Sequence, residues 1–309
     1  MRSFRDRYVI SSLPDKMQDS DLGSVVEAYD SRADRSWGCL MWWVILVLVC
    51  LGLTIANLVM APDGIAKLPL AEQLCPFAIV AVGIVVYFVL LSHYHMCQRI
   101  YVCGKGVHWE KYSYRSGRVA QSRTVLWEQV HSVVSRKTRY YSRDSKDNDT
   151  VREDRYKHTI RTLELLAPHG DTLLKIQGKY SNEHEQEELF TWIWFAVKAV
   201  ERQWAIVRLP VLLRQVHSEG QLLLTVKGKH TLQLTPDALS YKDKTISGSN
   251  LVVRWSSKDE TLALRDDSEK RNAVQKFFNL KEVSIPVSTM PNGCLVQPLL
   301  LQLYGVQPM

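Results

Sequence analysis

The sequence lacks the short motifs that announce catalysis. It contains no Walker loop, no dinucleotide fingerprint, no HExxH and no GxSxG. These absences point away from nucleotide-dependent enzymes, zincin proteases and α/β-hydrolases, so the chain is read as a non-enzyme with no cofactor. Cysteine is scarce, at six in 309 residues, and no two cysteines stand in CxxC spacing, which excludes a paired-cysteine zinc motif. Charge is missing from two long stretches. Gly38 to Ala61 is 24 residues without a charged group, and a second uncharged run starts at Leu74 and lasts until Arg99. A helix of 24 residues reaches ~36 Å, enough to cross a ~30 Å hydrocarbon core. The sequence therefore predicts a transmembrane hairpin with spans at 38–61 and 74–96, joined by the twelve residues Pro62 to Gln73.

What charge there is falls unevenly. The formal net charge is +7. Residues 1–37 hold six basic and seven acidic groups, whereas 98–204 hold 19 and 14, and 205–309 hold 13 and 9. Arg32 and Arg35 precede the first uncharged run, and Arg99, Lys105, Lys111 and Arg115 follow the second, while the connecting loop has only Lys67. By the positive-inside rule both termini are expected to be cytoplasmic, in a multi-pass protein of a bacterial inner membrane. The acidic head at 1–37 does not suit a cleaved signal peptide and reads as a mobile segment with one short helix near Ser20 to Tyr29.

Beyond residue 98 the pattern turns to period two. Arg99–Cys103, Val107–Tyr114, Ser122–Thr138 and His158–Lys179 read as strands, broken at Gly104-Lys-Gly106, Ser116-Gly117 and His169-Gly170-Asp171. Tyr140–Lys157 is nearly all charged or polar and reads as a solvated excursion. A helix is expected from an Asn182 N-cap to Trp204, with Glu185 completing a capping box. A bent sheet plugged by one helix is the order of a pleckstrin-homology-like barrel.

The order then repeats. With an offset of 132, Ile100 falls on Leu232, Val102 on Leu234, Gly106 on Ala238 and Trp109 on Tyr241. The expected class is α+β. A two-helix transmembrane hairpin (38–97) is followed by a first pleckstrin-homology-like domain (98–204), a connecting helix (205–219) and a shorter second domain (220–309), each barrel closed by a C-terminal helix. Trp109, Trp127 and Trp255 are placed in the barrel cores.

The hairpin, the segment Trp127-Glu-Gln-Val130, and the Pro291-Asn292 pair before the last helix together resemble the bacterial membrane-anchored proteins of unknown function with tandem pleckstrin-homology-like domains. That family has no established catalytic residues, so the resemblance implies none here. It implies a membrane-tethered interaction module, with a scaffold assembled through the hairpin as the alternative. Small residues Gly52, Ala56 and Gly83 suit close helix packing and allow a homo-oligomer.

Residues 99–143 hold ten basic groups against Glu110 and Glu128. Arg99, Lys105, Lys111, Arg115, Arg118, Arg123, Arg136, Lys137, Arg139 and Arg143, with Tyr140 and Tyr141 among them, are the candidate surface for an anionic phospholipid or a protein partner; no nucleic-acid partner is expected. His93, His95, Cys97 and Cys103 are of metal-ligating types, but strand alternation sends them to both faces, so no metal site is expected.

Overall fold

The computed structural model describes residues 9–10, 21–32, 96–114, 116–142, 155–180, 191–226, 230–256, 260–268 and 282–306. The chain divides into two compact units. One comprises Met1–Ile10, Tyr29–Ile100 and Trp109–Ser122, and the other Ser11–Ala28, Tyr101–His108 and Arg123–Met309.

Four strands, β1 (Val25–Asp30), β2 (Met96–Cys103), β3 (Gly106–Ser113) and β4 (Val119–Leu126), form a sheet in the order β1-β2-β3-β4. Strands β5 (Ser132–Ser142), β6 (Arg155–Leu166) and β7 (Thr172–Tyr180) form a second sheet in chain order, and helix α1 (Trp192–Glu219) follows. The period-two code is clearest in β7, where Leu174, Ile176 and Tyr180 are buried while Lys175, Gln177 and Lys179 are exposed. Gly178 continues the buried register. A Cβ there would lie 2.5 Å from Cβ of Ile193, so glycine is what lets β7 approach α1.

The same order of elements then recurs. Strands β8 (Leu222–Thr225), β9 (Thr231–Leu234), β10 (Ala238–Tyr241) and β11 (Lys244–Ser247) form a four-stranded sheet. Strands β12 (Leu251–Ser256), β13 (Thr261–Asp266) and β14 (Val283–Pro286) form a three-stranded one, and α2 (Val296–Tyr304) closes the series. Leu232, Leu234, Leu262, Leu264, Ile285 and Leu299 are fully buried. At ~1.5–3 kcal/mol for each large apolar side chain, this burial is the main stabilising term of the second repeat.

Several expectations are corrected. Among the described residues the fold is mostly β, built of four antiparallel sheets that are each open in strand order; none of them closes into a barrel, and two α-helices occur. Among those residues no helix is long and apolar enough to cross a membrane. Helix α1 has the length, at 28 residues, but carries Lys198, Glu201, Arg202, Arg208 and Arg214, whose burial in hydrocarbon would be costly. The multi-pass reading, its inner-membrane location and the integral-membrane partnership find no spanning helix among the described residues to support them. The expected spans at 38–61 and 74–96 lie outside the described residues except for Met96, which begins β2.

Part of the expected head, Val25–Asp30, is a strand and not a helix. Tyr140–Ser142 and Arg155–Lys157 are strand and not a solvated excursion, since β5 and β6 go on pairing to Ser142 and Arg155 across an irregularity at Lys157. Asn182 lies outside the described residues. Helix α1 runs unbroken through the stretch expected as capping helix and connector, with Pro210 inside it, and ends at Gly220 with φ 73°, a left-handed cap that glycine adopts without strain.

Candidate functional site

The second unit contains a cavity of about 490 Å³. One wall is a stripe of α1 at helical spacing: Trp194, Lys198, Glu201 and Arg202. Facing it are Arg161 of β6, Trp255 and Glu260 of the β12–β13 hairpin, and Met290 and Cys294 ahead of α2. The cavity therefore takes residues from both repeats.

Arg161 continues the inward register of Leu163 and Leu165, so the sheet aims a charged group at the interior. Its side chain is 3% exposed and forms a 3.0 Å ion pair with Glu260. Its Nη2 also lies 3.5 Å from the Ser135 hydroxyl oxygen. Glu260 holds φ 47°, a left-handed conformation that β-hairpin loops tolerate at some cost for a non-glycine residue. On the opposite wall Lys198 and Glu201 pair at 2.7 Å, and Arg202 pairs with Glu27 at 2.5 Å. Burial, and secondarily the negative charge of Glu201, push the Cys294 thiol far up, which keeps it protonated and poorly nucleophilic at neutral pH.

Trp255 is 41% exposed. It shares the inward register of Leu251 and Val253, which explains its expected place in the core, but its end of β12 meets the cavity. Trp127 is buried, on a one-turn 3-10 helix and not on a strand; its Nε1 donates to the Cys103 carbonyl at 3.1 Å. Trp109 is half-buried and donates to Gln98 at 3.0 Å.

The basic residues singled out in the sequence do not gather in this cavity. Arg99 is a packed group whose Nε donates to Asp30 at 3.0 Å while the guanidinium lies 3.8 Å from the ring centroid of Tyr112. The Tyr112 hydroxyl donates to both Asp30 carboxylate oxygens, at 2.5 and 2.7 Å. Burial, then the hydrogen bond and charge of Asp30, push that hydroxyl well above the usual tyrosine range. Lys105 is exposed in the β2–β3 turn, Lys111 is half-buried on β3, and Arg118 and Arg123 are exposed before and along β4. Arg115 and Arg143 lie outside the described residues. Arg136, Lys137, Arg139, Tyr140 and Tyr141 all belong to β5. Alternation there puts Arg136 and Tyr140 on the outer face, with Lys137 and Arg139 on the other.

Of the metal-type residues, His93 and His95 lie outside the described residues. Cys97 and Cys103 are fully buried at opposite ends of β2, and burial pushes the Cys103 thiol up to about 11. Arg161, Glu260 and the α1 stripe were missed in the sequence. The available signal was a charged residue in the apolar register of β6. No protein-family model matches the chain, and no curated protein matches it.

Proposed function

We propose that the chain is a non-catalytic binding module that holds a short peptide segment of a protein partner in the cavity between its repeats. The observation that carries this reading is Trp255, a large aromatic side chain left 41% exposed at the wall of a 490 Å³ cavity. Exposed indole beside a concave surface is the residue type that anchors protein interfaces, because it buries a large area with little rotamer entropy to lose. The charged groups of the walls are held in ion pairs, Arg161 with Glu260, Lys198 with Glu201 and Arg202 with Glu27, and Cys294 is held protonated. Such an arrangement suits recognition by shape and hydrogen bonding and offers no activated nucleophile.

Selection of peptides from a random display library against the purified chain tests this. Enriched peptides should bind the native protein and lose at least tenfold in affinity to Trp255→Ala, since anchoring residues of this kind carry ~2 kcal/mol or more. No enrichment, or peptides that bind Trp255→Ala equally well, overturns the proposal.

A further inference from the structure

The outer face of the β5-β6-β7 sheet presents a second surface with a different chemistry. Register fixes which side chains share it: Tyr140 stands opposite His158, Ile160 between Thr138 and Lys179, Thr162 between Arg136 and Gln177, and Glu164 between Val134 and Lys175. Tyr140 is 43% exposed, and its ring stacks on His158 at 4.7 Å with planes 16° apart. Beside the pair lie the exposed cations Lys179 and Lys157, the latter at the irregularity where β5 and β6 shift register. Among the described residues the face has one carboxylate, Glu164, which sits 2.9 Å from Lys175 and 3.9 Å from Arg136 and so is already neutralised. Burial of the ring, then the charges of Lys179 and Lys157, hold His158 below the usual histidine range.

From this geometry we infer that the face binds single-stranded nucleic acid. An exposed aromatic stack on an open sheet offers bases a sequence-tolerant platform, and the neighbouring lysines meet the phosphates. This departs from the sequence expectation of no nucleic-acid partner, which treated Tyr140–Lys157 as a solvated excursion and so could not place Tyr140, His158 and Lys179 side by side. The surface is separate from the Trp255 cavity and does not depend on it. The excess of fixed positive charge attracts a polyanion, and the stack distinguishes a base-bearing one from other polyanions.

The test uses the full chain and fluorescein-labelled oligo(U) and oligo(dT) 20-mers, read by anisotropy. Wild type should bind with affinity that falls steeply with salt. Tyr140→Ala should weaken binding about tenfold, Tyr140→Phe should retain it, and Lys157→Gln/Lys179→Gln should weaken it and flatten the salt slope. The His158 ring resonance should titrate at higher pH in the complex, because phosphate replaces the uncompensated lysine field. Trp255→Ala should bind the oligonucleotide like wild type, so failure here and failure of the peptide cavity are read separately. Unchanged affinity in Tyr140→Ala with an unshifted His158 titration overturns the inference. So does Tyr140-dependent binding of phosphatidylserine vesicles in place of oligonucleotide, or equal competition by inorganic polyphosphate.

Discussion

The indole Nε1 of Trp204 donates a 2.9 Å hydrogen bond to the side-chain oxygen of Asn292, 88 residues further along the chain. The same oxygen accepts the backbone N–H of Val133 at 3.1 Å, and the Asn292 side-chain nitrogen donates to the His131 carbonyl at 3.3 Å. The Asn292 backbone N–H donates to the Val133 carbonyl at 2.8 Å. One asparagine thus ties the end of the second repeat to both β5 and α1 of the first. It does so at φ 57°, a left-handed conformation that asparagine adopts more readily than most residues.

Asn292→Ala should therefore destabilise the chain by roughly 2–4 kcal/mol, through unsatisfied buried donors and a strained backbone. Trp204→Phe should cost less. In a double-mutant cycle read by urea denaturation the two should couple by about 1 kcal/mol. Additive effects would mean that the hydrogen bond contributes nothing.

Arg161 and Glu260 are the second tie between the repeats, and their pair is buried at the arginine end. Arg161→Ala leaves a carboxylate in a half-buried site, and Glu260→Gln takes the Glu260 charge away from a buried guanidinium. Each should cost about 3–5 kcal/mol in urea melts. Replacing both with methionine should recover most of that loss, since the pair's desolvation offsets much of its attraction. A double variant as unstable as either single one would show that the charge pair itself, and not its burial cost, governs the site.

Stability should decline in alkali. The Cys103 thiol is pushed up from 9.0 to about 11 by burial, and the Tyr304 hydroxyl is pushed up to about 12, mainly by burial. A folded-state value above the unfolded one means that stability is fully present below the unfolded value. It is then lost as pH rises from there through the folded value. For Cys103 the window is about pH 9 to 11, and the loss is roughly 2–3 kcal/mol at ~1.4 kcal/mol per unit. Melting temperatures across that window should fall, and Cys103→Ala should flatten the part of the fall between pH 9 and 10. An unchanged slope in that variant would assign the decline to other groups.

Much of the strand arrangement is legible in the sequence, because half-buried strands carry period-two alternation. The offset of 132 that lays Ile100 on Leu232 and Gly106 on Ala238 corresponds to β2 over β9 and β3 over β10. Strand β1 was not legible. Its six residues carry too short a pattern to separate strand from helix, and its partner β2 begins only at Met96. The unbroken α1 was divided at Trp204 into a capping helix and a connector, although no residue there stops a helix; Pro210 lies within it, exposed. The cavity was less legible still. Alternation says that Arg161 and Trp255 face inward, but it cannot say that the interior at that level is open. Asn292 read locally as a helix-start signal, and its partners in β5 and α1 are long-range contacts that no local pattern encodes.

The two tryptophans that the sequence treated alike should separate most clearly. Trp127 is 4% exposed, packs at 6.0 Å from Trp204 in a tilted ring pair, and satisfies its Nε1 on the Cys103 carbonyl. Trp127→Ala removes a filled volume and leaves a cavity that the neighbouring strands cannot fully close, at a cost of about 3–5 kcal/mol. Trp255 leaves little packing behind when truncated, because 41% of its surface already meets solvent at the cavity wall. Trp255→Ala should cost about 1 kcal/mol or less in stability and yet remove the binding of cavity-selected peptides. Denaturation and peptide-binding isotherms on the same two preparations decide the matter. Equal destabilisation by the two variants would return Trp255 to the core, and the peptide cavity would then lose its anchor.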